Sequence, residues 1–567
     1  MELVSLFNPG RVPHARMLGR PEMYVLIHFG PNTFSDREWG YGDEDPANFA
    51  PDGFDADAMM ADIRSGGFGG VILVCKHHDG FCLWPTRTTE HNISRSPWRG
   101  GRGDMVREFA DAARRAGLQM GFYVSPWDRN NAAYGTDEYV RIFRAQLREI
   151  LTQYGPAFEV WFDGANGGDG YYGGARTTRT IARGAYYGWR ETWSMVRELQ
   201  PDAAIFSDVG PDLRWVGNEL GYAKPDCFAT VTPRLPDGAA SGDPAPGYCS
   251  TAEAGTGSVS GKYHLPPECD VPLRPGWFYH ARQDDLCRSV AELVRIYLAS
   301  VGEGGFLNIG LAPDKHGRLH PNDAARLREF RAAVESLFAD ELFRGECAAV
   351  PGETAGFRFG RKVCVNLLDF REPEADGNRV TEYAVELLRE GKTVHTVSGH
   401  AVGRRRLRLF APVEADELRF RAATADGKPV TVAFAGYAAP EGFYRAEAEK
   451  RAITDRPDYR PIAKKPQVTE TAFRWELDAP VTAAGFIFVP YAIPDGMPDR
   501  YRCEVRGSDG VWREAARGEF SNIQANPIPQ VVEFAETFEC AAVRLTAEHV
   551  VEPRWNPLCR EFGLLVK

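Results

Sequence analysis

The string FEVWFDGA, residues 158–165, has an apolar run that reads as an interior strand, with Asp163 emerging just past its end and a glycine behind it for a tight turn. A carboxylate there can serve as nucleophile, base or metal ligand; the plainer alternative is a turn or helix-capping aspartate. In VILVCKHHDGFCLW, residues 71–84, His77 and His78 are adjacent. Consecutive side chains of a strand point to opposite faces, so this pair suits a shared metal less well than an alternating HxH would. A neutral imidazole offers one donor and one acceptor, which suits a sugar hydroxyl, although either residue alone could equally be a core histidine. His28 in LIHFG and the pair Glu38 and Trp39 in REWG add a polar fork beside an aromatic face, the make-up of a small, partly apolar sugar pocket. Tyr123 ends another apolar run, and Trp127, Trp161 and Trp277 supply further walls or simple core packing.

If Asp163 acts on a glycosidic bond it requires a second carboxyl group, about 5–5.5 Å away when configuration is retained. Glu219 in RWVGNELG, Glu253 in a Gly- and Ser-rich segment and Glu268 in PPECD are the candidates, all read as residues of later loops. Trp215 and Val216 beside Glu219 would raise its pKa by desolvation, as a general acid working near neutrality needs. An exposed loop glutamate is the plainer reading of any one of them.

Elements that position these residues follow from an alternation of short apolar runs with helical patterns over roughly the first three hundred residues. Strands are expected at 23–29, 70–75, 119–123, 158–162, 203–207 and 305–309, with helices at about 55–65, 104–116 (Asp104 as N-cap), 138–154, 189–199 and 286–301. The remaining strands are expected within 225–275. An open doubly wound sheet would gather its ligand at one switch point, whereas a closed barrel spreads functional residues over many strand ends. The second pattern is present: His28, His77, His78, Tyr123, Asp163 and Asp208 each end or follow a different run, the two adjacent histidines sharing one. After about residue 337 the texture turns to short alternating strands, and a charged, Pro-containing stretch at 451–466 reads as a linker. The expected organisation is a catalytic barrel over 1–337, a β-sandwich over 338–450, and a linker with a second β-sandwich over 451–567.

A chain of 567 residues exceeds one hydrophobic core, which agrees with several domains. With a net charge of -11 and no basic stripe, a nucleic-acid partner is not expected. Eleven Cys without CxxC pairs indicate neither a disulfide framework nor a zinc ribbon. The start, MELVSLFNPGRVPHARMLGR, lacks the pattern of a secretion signal and no stretch has membrane-spanning length, so a cytoplasmic protein is expected, a trimmed secreted form remaining open.

Six strings in series, IHFG (27–30), EWG (38–40), KHHDGFCLW (76–84), GFYVSPWD (121–128), WFDGA (161–165) and FLNIGLAPD (306–314), resemble glycoside hydrolase family 29, the α-L-fucosidases. The resemblance implies a retaining exo-acting enzyme on a (β/α)8-like TIM barrel, with Asp163 as nucleophile and His28, Glu38, Trp39, His77, His78, Tyr123 and Trp161 around the fucose; Arg214 and Trp277 are counted among the substrate-binding residues. RWVGNELG and DVPLRPGWFYH look like the branch that prefers α-1,3/1,4 linkages, in which Glu219 would be the acid/base. In the broader-specificity branch a later glutamate has that role, and Glu268 stands in a comparable place. No cofactor and no metal are implied, and the expected partners are fucosylated oligosaccharides or glycoconjugates. The stretch RYRCEVRGSDGVWREAARGEFSN resembles a discoidin-type β-sandwich of the kind often used for carbohydrate binding. Two other classes stay open at this point: a non-catalytic glycan-binding protein and a metal-dependent barrel hydrolase.

Overall fold

The computed structural model describes residues 7–164, 166–236, 238, 245–440, 442 and 452–567. Eight parallel strands form the first sheet: β1 (Met23–Ile27), β2 (Gly70–Lys76), β3 (Gln119–Val124), β4 (Glu159–Trp161), β5 (Ala204–Phe206), β6 (Arg214–Trp215), β7 (Pro267–Pro272) and β8 (Phe306–Leu311). Their order, β5-β4-β3-β2-β1-β8-β7-β6, runs around a nearly closed barrel. At the remaining seam a short turn joins β5 to β6, where the Trp215 amide donates to the Asp208 carbonyl at 3.0 Å. This is the expected TIM-like architecture. Every residue of β2, GVILVCK, is buried, as a barrel strand covered on both faces must be.

Helices follow most strands: α1 (Ala56–Ser65), α2 (Met105–Arg115), α3 (Asp137–Gln153), α4 (Trp189–Leu199), α5 (Val290–Ser300) and α6 (Pro321–Leu337). The Asp104 carboxylate caps α2 by accepting from the Arg107 amide at 3.0 Å, and Met105, Val106, Phe109, Ala112 and Ala113 form its buried stripe. Of the two strands expected within 225–275, β7 lies there and β6 does not. With two residues, β6 is too short for periodicity to register.

Behind the barrel lies a six-stranded antiparallel sheet with its own apolar core, built from β9 (Glu341–Ala349), β10 (Ala355–Arg371), β11 (Val380–Arg389), β12 (Lys392–Gly399), β13 (Arg406–Thr424) and β14 (Val430–Tyr437) in the order β9-β14-β10-β13-β11-β12. Arginines latch it to the barrel. Arg405 donates to Glu22 at 2.7 Å and to the Tyr297 hydroxyl at 2.8 Å, and Arg408 donates to Glu303 at 2.7 Å and Asp226 at 2.9 Å.

Compactness divides the chain into residues 1–448 and 449–567. The division, like the start of the stretch read as a linker, falls outside the described residues; within that stretch Tyr459–Pro461 pairs with the final strand Glu561–Val566. The second unit is a seven-stranded antiparallel sheet around a core containing Trp475, Phe486, Tyr501 and Phe562. All eleven cysteines are free thiols.

Candidate active site

Strand β4 ends at Trp161, and Asp163 follows two residues later with 30% of its side chain exposed, enough to meet a ligand. Gly164 packs against Asp208 so closely that a Cβ would stand 2.1 Å from Oδ1, which explains the glycine after the aspartate. Ala165, the last residue of the WFDGA string, lies outside the described residues. The Tyr123 hydroxyl, from β3, donates to Asp163 Oδ2 at 3.0 Å. Burial, followed by the Asp163 charge, pushes the Tyr123 pKa well up, so the phenol stays a donor.

His28 follows β1 directly and ties back to β8 through its amide, which donates to the Leu311 carbonyl at 3.0 Å. His77 and His78 follow β2. They do not diverge to opposite faces as strand alternation predicts, because β2 stops at Lys76; their rings lie 4.0 Å apart at the barrel mouth. His28 is 5.5 Å from His77 and 5.0 Å from Trp277, and Trp39 meets His78 edge-on at 5.2 Å. Phe278, not anticipated from the sequence, closes the ring at 5.0 Å from His77.

The imidazoles are neutral. Burial carries the His28 pKa down to about 3 and holds His77 and His78 well below the usual range, with the Arg129 charge adding to the effect on both. His78 Nδ1 lies 2.8 Å from the Ser125 hydroxyl, whose single proton goes to the Trp127 carbonyl at 2.8 Å. Nδ1 therefore donates, and His78 Nε2 turns a lone pair toward Asp163 at 3.8 Å, too far for a direct hydrogen bond. Both are acceptors, so a sugar hydroxyl placed between them would give its one proton to either His78 Nε2 or Asp163. The buried Nδ1 of His77 has no protein partner. Among the described residues no group of three or more His, Cys, Asp or Glu is arranged to hold a metal ion.

The two glutamates weighed as acid/base occupy different places. Glu219, in the loop after β6, is half-buried and accepts from Trp277 Nε1 at 2.7 Å. Glu268 is not a loop residue: it is the second residue of β7, fully buried, and accepts from the Tyr24 hydroxyl at 2.6 Å, Trp161 Nε1 at 2.9 Å and Asn308 Nδ2 at 2.9 Å. Glu253 lies in the first turn of the short helix Thr251–Thr256, its amide donating to the Ser250 hydroxyl at 3.2 Å. The Trp215 indole donates to Asp270 at 2.8 Å. Asp270 was not foreseen. It sits two residues after Glu268 on the same face of β7, and burial, then the charges of Glu219 and Glu268, push its pKa well up.

Three residues expected at the site make extensive contacts within the protein. Arg214 is fully buried, donating to the carbonyls of Ala254 at 2.9 Å and Phe228 at 2.8 Å and to that of Leu265, so it braces the chain around β6 and does not reach the mouth. Trp161 stacks on Phe206 at 4.2 Å and spends its N–H on Glu268, one layer beneath the pocket. Glu38 spends its carboxylate on the segment that carries Trp277: it accepts from the amides of Trp277 at 2.8 Å and Phe278 at 3.2 Å and meets His280 Nε2 at 2.7 Å.

A family model described as "Alpha-L-fucosidase" matches residues 21–334, more than half of the 567. Alpha-L-fucosidase 1 of Arabidopsis thaliana is 35% identical over 426 residues, covering 69% of this chain and 80% of the relative. Two solved structures are similar along the whole length: a glycoside hydrolase 29 family member from an unknown rumen bacterium (34% identity, 99% of this chain and 100% of that one, TM-score 0.71) and a putative alpha-L-fucosidase from Bacteroides ovatus (32%, 98% and 96%, TM-score 0.67).

Proposed function

The chain belongs to the α-L-fucosidase family, and from that premise we propose that it is a retaining, exo-acting enzyme that releases L-fucose from α-1,3/1,4-fucosylated glycans. The observation that carries this reading is the pair of carboxyl groups at one barrel mouth: Asp163, oriented by the Tyr123 hydroxyl, and Glu219, oriented by the Trp277 indole.

In the first step protonated Glu219 donates to the glycosidic oxygen while Asp163 attacks the anomeric carbon; the glycosidic bond breaks and an ester to Asp163 forms. In the second, Glu219 takes a proton from water, whose oxygen displaces Asp163 and leaves fucose with its configuration retained. Neutral His28, His77 and His78 bind hydroxyls without adding positive charge beside the nucleophile, which keeps the Asp163 carboxylate nucleophilic. The aromatic rings of Trp39, Trp277 and Phe278 suit the C6 methyl, which distinguishes fucose from galactose.

The linkage preference rests on the WVGNE and RPGWFYH strings, and on Trp277 and Glu219 meeting in one hydrogen bond. Fucose release from Lewis-type trisaccharides, 2'-fucosyllactose and a nitrophenyl fucoside tests it. The trisaccharides are expected to be cut faster than 2'-fucosyllactose; the reverse order overturns the linkage, and no release from any of the three overturns the activity.

A further inference from the structure

Three residues past Trp277, His280 is buried between two carboxylates of the loop that follows β1: its Nδ1 lies 2.6 Å from Asp36 Oδ1 and its Nε2 2.7 Å from Glu38 Oε1. Ionised carboxylates only accept, so both ring nitrogens must carry protons and the ring is an imidazolium. The charged groups facing it are Asp36 and Glu38 from that loop and Arg282 from its own segment; although burial opposes the charge, the two carboxylates outweigh burial and Arg282 and hold the pKa above the usual imidazole range. Arg282 also pairs with Asp36.

This cation is the outer end of a continuous chain. Glu38, fixed by His280, accepts from the backbone amides of Trp277 and Phe278, and its carboxylate lies so close to Gly276 that a Cβ there would stand 2.2 Å from Oε1. The Trp277 indole then donates to Glu219. A segment fastened at Glu38 and carrying the acid/base on its indole transmits any loosening at His280 to the proton donor.

We propose that His280, as an imidazolium, is a positioning residue that clamps the Trp277 segment through Glu38 and so holds Glu219 for proton transfer, and that its deprotonation releases the clamp and adds a second proton to the alkaline loss of activity. The proposal rests on the reading of Glu219 as acid/base.

The test measures kcat/KM against pH on a Lewis-type trisaccharide and on a nitrophenyl fucoside for the wild type, His280→Gln, His280→Arg and, in parallel, Glu219→Ala. In the wild type the alkaline limb on the trisaccharide should approach a slope of about −2, one proton from Glu219 and one from His280. His280→Arg keeps a cation with donors on two sides and should retain most activity with a slope of about −1. His280→Gln is expected to lose on the order of 10- to 100-fold on the trisaccharide and much less on the aryl fucoside, as for a misplaced acid. A one-proton limb unchanged in His280→Arg, or equal losses on the two substrates in His280→Gln, overturns the clamp. If Glu219→Ala lacks the leaving-group signature, the acid/base reading falls and the clamp with it; if that signature is present and the His280 variants behave like the wild type, the clamp alone falls. Should His280→Gln not fold, the difference in indole fluorescence between the wild type and Trp277→Phe decides: a transition above neutrality supports the clamp, and a flat difference overturns it.

Discussion

Glu268 and Glu219 are the same residue type in one barrel, yet the fold treats them in opposite ways. Glu268, inside the barrel, is fully buried and saturated by a phenol, an indole and an amide. Around it lie Glu159, which pairs with Arg20, and Asp270, which holds the Trp215 indole, a polar core that ties β1, β4, β6, β7 and β8 together. At the mouth, Glu219 is half-buried, oriented by the Trp277 indole, with a raised-pKa acid nearby. A fully buried carboxyl group satisfied by three fixed donors cannot meet a ligand, whereas a half-buried one at the mouth can. Placement and partners, more than residue type or local pattern, separate a structural carboxylate from a chemical one.

That contrast breaks most directly at the nucleophile. Asp163→Ala should lose on the order of 10⁴-fold or more in kcat on natural and activated fucosides alike, because no covalent intermediate can form. Glu219→Ala should lose about 10²- to 10⁴-fold on a trisaccharide, whose leaving group needs the acid, and far less on a nitrophenyl fucoside. Azide should then restore rate and yield a fucosyl azide inverted relative to the covalent intermediate; parallel kinetics on both substrates check this. Glu268→Ala should act on the fold instead, because it strands three buried donors at about 1–3 kcal/mol each. A markedly lowered midpoint of thermal unfolding is expected, with Glu268→Gln milder. A leaving-group signature at Glu268 and none at Glu219 would transfer the acid/base role and undo the comparison.

Sequence pattern disclosed the barrel because its longer strands, such as GVILVCK, are apolar on both faces, and it marked the strand ends that carry Asp163, Tyr123 and the histidines. It failed where pairing, not periodicity, decides. The two-residue β6 exists only through its ladder with β7, and PPECDVP, bounded by prolines, reads as a loop. Arg214, on β6, spends its guanidinium on backbone carbonyls, while its neighbour Trp215 turns the other way, toward Asp270. The amide and imidazole partners by which Glu38 fastens the Trp277 segment lie about 240 positions downstream, beyond any local signal.

The smallest expected effect concerns the histidines, and it sharpens the comparison by separating stability from chemistry. A histidine whose folded pKa is depressed is protonated more readily in the unfolded chain, so protons favour unfolding and stability is lost as pH falls below the unfolded value of about 6.5. For His28 the folded value is about 3, so the loss should extend over the whole window from about 6.5 down to about 3, at up to about 1.4 kcal/mol per pH unit. His77 and His78, depressed by the same burial, act in the same direction. Their protonation should not shape the acid limb of activity while the enzyme stays folded, because the rings remain neutral there. Denaturant unfolding of the wild type and His28→Gln at pH 7 and pH 5 measures the first part: the variant is expected to be less sensitive to that change, though its stability at pH 7 can fall. A wild type equally stable at both pH values, or an identical pH dependence in the variant, would show that burial at the mouth does not hold His28 neutral.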